Sequence, residues 1–364
     1  MKTIKTSRES FLNLSDTSWH IANPIRESLS YLLFLIFPAL TCGCRAPELQ
    51  TSYAEAPSST AKNHYEGMVK TSVKIEGNAE SLDVFTFEND RLKRLDSYQR
   101  FEKGDYNGNI CEIASCSGEK TMIIIANSPI KKHEWIDINC LKSLEKKSFN
   151  LEDENPSCPL MTGEYNIKAG EEFQTELIPM AGEVVLRSLV CDFSDKTYSE
   201  AKMTDIKIYL TNVNSSCGIW TGDETYPSRI INAGKMSMDD LAEFRYPEII
   251  FREIETDVGR DKMTDEIRLL AYPSSCLEES PGTPFTKLVI EGKINGKTWY
   301  YPIAVNRTKH TAEPGIRRNR CYIYDLTITG TGLEDPDGTI AEAAIKVNME
   351  VKKWEEKDWY GVRF

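Results

Sequence analysis

The residue types that carry catalysis or hold metals are all present in this 364-residue chain, but their spacings build no site. Four histidines, at positions 20, 64, 133 and 310, stand too far apart to read as a His-rich metal centre. The chain contains no G-x-S-x-G, H-E-x-x-H, phosphate-binding loop or C-x-x-C. Carboxylates are abundant, yet none is set off by spacing as an acid–base pair. Asp335-Pro336-Asp337-Gly338 offers two oxygens but lacks the periodic ligands of a calcium loop, so a turn is expected there. Trp299, Tyr300 and Tyr301 could stack on a sugar; in a strand they read more simply as core and cross-strand pairs. No catalytic residue, metal or cofactor is expected.

What remains is an architecture, and composition bounds it. The 44 Lys and Arg against 56 Asp and Glu leave a net charge of −12, which excludes the basic footprint of a nucleic-acid binder. A 40% apolar content, with 16 Tyr, 13 Phe and 6 Trp spread along the chain, excludes a disordered chain and supports about two domains.

The one long apolar run, at 29–40, is too short for a membrane-spanning helix and suits a signal-peptide core, with Lys2, Lys5, Arg8 and Arg26 as its basic flank. It leads into Thr41-Cys42-Gly43-Cys44, which resembles the lipobox of bacterial lipoproteins, with Cys44 as the lipidated residue. Cys42 fits less well, and the alternative is an ordinary secretory signal followed by a disulfide cysteine. Residues 1–43 then form a lipoprotein signal peptide, whose loss removes four basic and three acidic side chains and takes the net charge from −12 to −13. Several acyl chains would hold the product firmly on a membrane. Residues 44–66, rich in Pro, Ser, Ala and Glu, read as a flexible tether.

Beyond the tether, apolar residues recur with the period of two expected of strands. Val69, Thr71, Val73 and Ile75 form one row of a candidate first strand. LDVFTF (82–87) and ICEIASC (110–116) follow, and TMIIIAN (121–127) reads as a strand buried on both faces. The spacing predicts a helix near 133–148, with Ile136, Cys140 and Leu144 on one face. Further strands are expected at 184–193, 205–213 and 321–330. A hairpin is expected over 287–305, around Asn295-Gly296. At the end, Ile345, Val347, Met349 and Val351 alternate with Lys346, Asn348, Glu350 and Lys352; Trp354 falls out of register, which predicts a bulge or bend near Lys353. Many short strands and few helices predict an all-β protein of β-sandwiches, with domains at 67–180 and 181–364. Four cysteines after Cys44 fall in each half, as two disulfides per domain or as free buried thiols.

Several blocks, in order, resemble the fimbrillin family, the subunits of the type V pili of Bacteroidetes. They are LDVFTFEND (82–90), CSGEKTMIIIANSP (116–129), KTWYYPIAVN (297–306), GIRRNRCYIYDLTITGTGLEDPDGTI (315–340) and AAIKVNMEVKKW (343–354). Residues 215–285 carry no such likeness, and Thr339 stands where the family pattern has its second proline.

The resemblance implies two transthyretin-like β-sandwich domains with few short helices, and a non-enzymatic lipoprotein precursor bound for the outer membrane and the surface fimbrium. It implies other pilus subunits as partners, the outer membrane through the lipid, and a host or bacterial receptor in adhesion. In that family a protease cuts after an Arg behind the first strand, and a C-terminal strand of a neighbouring subunit fills the groove. The candidate donor here is Ile345, Val347, Met349, Val351 and Trp354; the alternative is that 343–354 is the last strand of its own domain. No Arg lies between Ala46 and Asp90, so the usual cut has no bond to act on. Either Lys70 or Lys74 is used, or the strand is retained, as suits an anchor-type subunit. A different class, a surface glycan-binding lipoprotein, shares the lipobox and the sandwiches and would bind polysaccharide as a monomer.

Overall fold

The computed structural model describes residues 68–354, apart from 77–78, 106–109, 221–225, 262, 264, 308–310, 312 and 342–343. The apolar run 29–40, Cys44 and the tether lie outside the described residues. Between Val69 and Pro179 the strands are β1 (Val69–Glu76), β2 (Ser81–Glu88), β3 (Leu95–Glu102), β4 (Ile110–Ser115) and β5 (Glu119–Ala126). They continue with β6 (Ser148–Asn150), β7 (Met161–Lys168), β8 (Phe173–Glu176) and β9 (Ile178–Pro179). The second series opens with β10 (Gly182–Cys191), β11 (Met203–Thr211), β12 (Val213–Asn214), β13 (Ser216–Gly218) and β14 (Ile230–Ile231). It closes with β15 (Phe251–Ile254), β16 (Ile267–Ala271), β17 (Lys287–Ile294), β18 (Lys297–Ala304), β19 (Arg320–Ile328) and β20 (Ile345–Lys353). The α-helices among the described residues are α1 (Leu141–Leu144) and α2 (Met238–Ala242), both about one turn long. The protein is all-β.

The first series makes a sheet of order β4-β1-β8 and a sheet of order β3-β2-β5-β7-β9. Between them lie Val73, Ile75, Leu82, Val84, Ile113, Met122 and Ile124. The other face of the five-stranded sheet presents Phe85, Phe87, Ile123 and Ile125 to Trp135, Ile138, Leu144 and Phe149. β5 is thus buried on both faces at the centre of its sheet, which is why its sequence is continuously apolar rather than alternating.

The second series makes sheets of order β16-β10-β19-β20 and β15-β11-β17-β18. Val184, Leu186, Ile208, Leu210, Leu288, Ile290, Tyr322 and Tyr324 belong to their core, and this core is continuous with the Phe85–Trp135 cluster. Asn295 (φ 52°) and Gly296 (φ 80°) both take the left-handed conformation that the tight β17–β18 turn requires. Tyr301 is buried and donates from its hydroxyl to the Gly330 carbonyl (2.7 Å); Trp299 and Tyr300 are half-buried, in keeping with core and cross-strand roles.

The helix expected over 133–148 does not form. A 3-10 turn covers Lys132–Trp135 and α1 only 141–144. Trp135, Ile138 and Leu144 are the residues turned inward, while Ile136 is 91% exposed. The segment follows the sheet beneath it, so tertiary contact overrides a spacing that matched a helix. All eight described cysteines are free thiols: 111, 191, 217, 276 and 321 buried, 140 and 158 partly so, 116 exposed. Asn214-Ser215-Ser216 and Asn306-Arg307-Thr308 match the N-x-[ST] glycosylation pattern, but both asparagine side chains are buried and donate to backbone carbonyls, so neither is open to a glycan. Asp335–Gly338 is a turn, in which the Asp337 N–H donates to Asp335 Oδ1 (2.9 Å). No helix among the described residues is long and apolar enough to cross a membrane.

Candidate assembly interface

The two stretches singled out by alternation occupy different places in the fold. β1 is a central strand. It runs antiparallel to β4, with Val73 opposite Cys111, and parallel to β8, with Val73 opposite Phe173. Thr71, Val73 and Ile75 point into the core and are buried; Val69, at the strand's start, is half-buried. Ser72 and Lys74 face outward, where with Ile110 and Gln174 they border a shallow open pocket of about 350 Å³. The Thr71 hydroxyl accepts from the Gly170 N–H (3.0 Å), and the Thr175 hydroxyl donates to the Lys74 carbonyl (3.2 Å). Both backbone edges of β1 are therefore engaged, by strands about 40 and 100 residues away in sequence.

β20 is the edge strand of the sheet β16-β10-β19-β20, antiparallel to β19 in unbroken register from Ile328–Ile345 to Arg320–Lys353. Residues directly opposite in an antiparallel pair share a face. The row Ile345, Val347, Met349 and Val351 therefore lies on the same side as the buried Ile328, Leu326, Tyr324 and Tyr322, the side that faces the sandwich interior. Cover fails along it: Ile345 is buried, Met349 half-buried, and Val347 and Val351 are 44% and 45% exposed. The apolar row is thus aimed at a core but left open at two of its four positions. On the opposite face Arg187 pairs with Asp325 (2.6 Å) and Glu350 (3.2 Å).

The bulge expected near Lys353 is absent. The strand ends there in register, and Trp354 closes it by donating its backbone N–H to the Asn319 carbonyl (3.2 Å) while its ring enters the core. The misfit of Trp354 with the odd-numbered row reflects the end of the strand rather than a distortion within it.

Sequence reasoning missed the polar seam between the two halves of the described chain. β6 pairs with β13, and the Leu151 N–H donates to the Ser215 carbonyl (2.8 Å). Arg318, just before β19, donates to Thr162 Oγ1 and to the Ile178 carbonyl, both at 2.8 Å. Glu154 is fully buried and accepts from the Leu160 N–H and the Tyr272 hydroxyl, each at 3.0 Å. Burial pushes its carboxyl up to about 7. No local pattern marks these residues, because their partners are distant in sequence. Among the described residues no cluster of His, Cys, Asp and Glu could hold a metal ion.

No protein-family model and no curated protein sequence matches the chain. Solved structures do. A candidate cell adhesion protein of Bacteroides eggerthii aligns with a TM-score of 0.59 at 14% identity, over 79% of this chain and 96% of its own. A fimbrilin of Porphyromonas gingivalis aligns at 0.55 and 14%, over 78% and 97%. A tip fimbrial protein of the same organism, truncated at its C-terminus, aligns at 0.50 and 12%, over 79% and 100%. The all-β architecture and its agreement with these structures over nearly their whole length give this chain the fimbrilin fold.

Proposed function

We propose that the chain is a non-enzymatic structural subunit of a surface fimbria, made as an outer-membrane lipoprotein on Cys44 and joined to other subunits by strand exchange. The observation that carries this reading is the contrast between β1 and β20. β1 fills the middle of its sheet with a buried row, so its loss would open a groove with two unpaired backbone edges. β20 is an alternating edge strand whose inward row is half open, the form of a strand that can complete a groove elsewhere.

The strand arrangement favours an anchor-type subunit that keeps β1. Lys74 lies where β1 is paired on both edges and Lys70 where it is paired with β4, so both bonds are held in a sheet and make a poor substrate for a protease that must extend the chain it cuts. The first Arg after Arg45 is Arg91, in the exposed turn beyond β2; a cut there would also release the central strand β2. A subunit that keeps β1 keeps its own groove filled and its lipid attached, and it joins its neighbour through β20.

Mass spectrometry of the mature N-terminus from cells tests this. An acylated Cys44 joined to an intact β1 is expected, with fatty-acid labelling lost in Cys44→Ala. An N-terminus at 71, 75 or 92 would refute retention, and unchanged labelling in the variant would refute lipidation at Cys44.

A further inference from the structure

We propose that the end of the N-terminal sandwich formed by residues 91–94 and 136–147 docks on an anionic lipid surface, by salt contacts to lipid phosphate and by insertion of Leu92 and Ile136. The proposal rests on the lipoprotein reading above.

The two segments lie side by side. The Leu95 N–H donates to the Asn139 carbonyl and the Leu141 N–H to the Lys93 carbonyl, both at 2.9 Å, and Arg94 bridges Cys140. Arg91, Lys93, Arg94, Lys142, Lys146 and Lys147 thus meet on one region of a chain whose net charge is −12. Carboxylates are interspersed: Asn89, which accepts from Lys93, donates to the exposed Glu119 (3.2 Å), and Glu88 and Asp96 are held by Lys120. Asp90 pairs with Arg94 (3.1 Å) and Asp137 with Lys147 (3.0 Å), while Glu134 and Glu145 are exposed beside them. Lys93 bonds the neutral Asn89 and Thr121. Arg91, Lys142 and Lys146 are exposed and form no ion pair among the described residues.

Two aliphatic side chains stand bare among these cations, Leu92 at 66% exposure and Ile136 at 91%. An acidic protein surface would satisfy the lysines and leave the aliphatic groups in water. A headgroup layer over hydrocarbon takes both. The position agrees with the tether. Val69 pairs with Ser115, and the next residue, Cys116, donates its N–H to Asp96 (2.9 Å), two residues past Arg94. The described chain therefore enters the sandwich at the same end as the basic turn, and a lipid on Cys44 would draw that end toward the membrane.

The test uses the native protein, reconstituted through its own lipid into vesicles of phosphatidylglycerol or of phosphatidylcholine, with hydrogen exchange read at the amides of 91–95 and 136–147. Exchange should slow on phosphatidylglycerol only. Arg91→Ala and Lys142→Ala should each lower the docked-to-free ratio roughly fivefold, and Ile136→Ser should lower it as well. These positions are exposed, and unchanged circular dichroism would show that the variants fold. Equal exchange on both lipids, or variants that exchange like the native chain, would overturn the proposal. So would protection that appears without vesicles and grows with protein concentration, since that assigns the patch to a second copy. The mass of the Cys44 peptide is read on the same sample. A chain without acyl groups defeats the lipoprotein reading, whereas an acylated chain without protection defeats the docking alone.

Discussion

Replacing Glu154 with Gln should make the protein markedly less sensitive to pH, with the gain confined to neutral and alkaline solution. Glu154 follows the short 3-10 turn at Leu151–Asp153 and is sealed between the two halves of the chain. It takes the Leu160 N–H from one side and the Tyr272 hydroxyl from the other, and no Lys or Arg forms an ion pair with it among the described residues. Burial raises its carboxyl from 4.5 to about 7. An acid whose folded-state value is raised keeps its proton longer in the folded chain than in the unfolded one. Its contribution to stability is therefore fully present below about pH 4.5, falls as pH rises toward 7, and stays lost above that. The raised value corresponds to about 3 kcal/mol. Gln has nearly the same shape; its oxygen can accept from Leu160 and its amide can donate to the Tyr272 oxygen, with no charge to desolvate. Urea unfolding at pH 5, 6.5 and 8 should show the variant within about 1 kcal/mol of the native protein at pH 5 and about 3 kcal/mol more stable at pH 8. Asp83, raised by burial to about 6, tilts both proteins in the same direction and drops out of the difference. A difference that stays constant with pH, or a variant less stable at pH 8, would refute the reasoning.

Three further outcomes are expected. Val73→Asp should cost about 4 kcal/mol or more in urea unfolding, since it places an unpaired carboxylate in the core under β1, while Lys74→Ala on the outer face should cost under about 1 kcal/mol. Val347→Asp should move monomer stability by less than about 1 kcal/mol, because the side chain is nearly half exposed, yet abolish co-purification with partner subunits; intact assembly would count against β20 as the donor. Trp354→Ala should cost about 3 kcal/mol, because the ring is buried at the end of β20, and any truncation that removes Trp354 should destabilise the monomer as well.

Much of this fold is legible along the chain, and the reason is periodicity. Alternation at 69–76 and 345–353 marks strands with one apolar face, the unbroken run at 121–126 marks a strand covered on both, and Asn295-Gly296 marks a turn that only left-handed residues close. A local pattern shows that a face is apolar; it does not show what covers it. The rows of β1 and β20 look alike in sequence, yet one is sealed between strands brought from about 40 and 100 residues away and the other runs out of cover at Val347 and Val351. The spacing of Ile136, Cys140 and Leu144 fits a helix; the sheet beneath it instead took Trp135 and Ile138 and left Ile136 outside. Cysteine counts left pairing open, and packing decided for free thiols. Glu154, Tyr272 and Arg318 carry no pattern at all, for they become neighbours only when the two halves close on each other. Strand identity is a property of a few consecutive residues, whereas cover, burial and the state of a buried carboxyl depend on residues a hundred positions away, and only the folded chain brings those together.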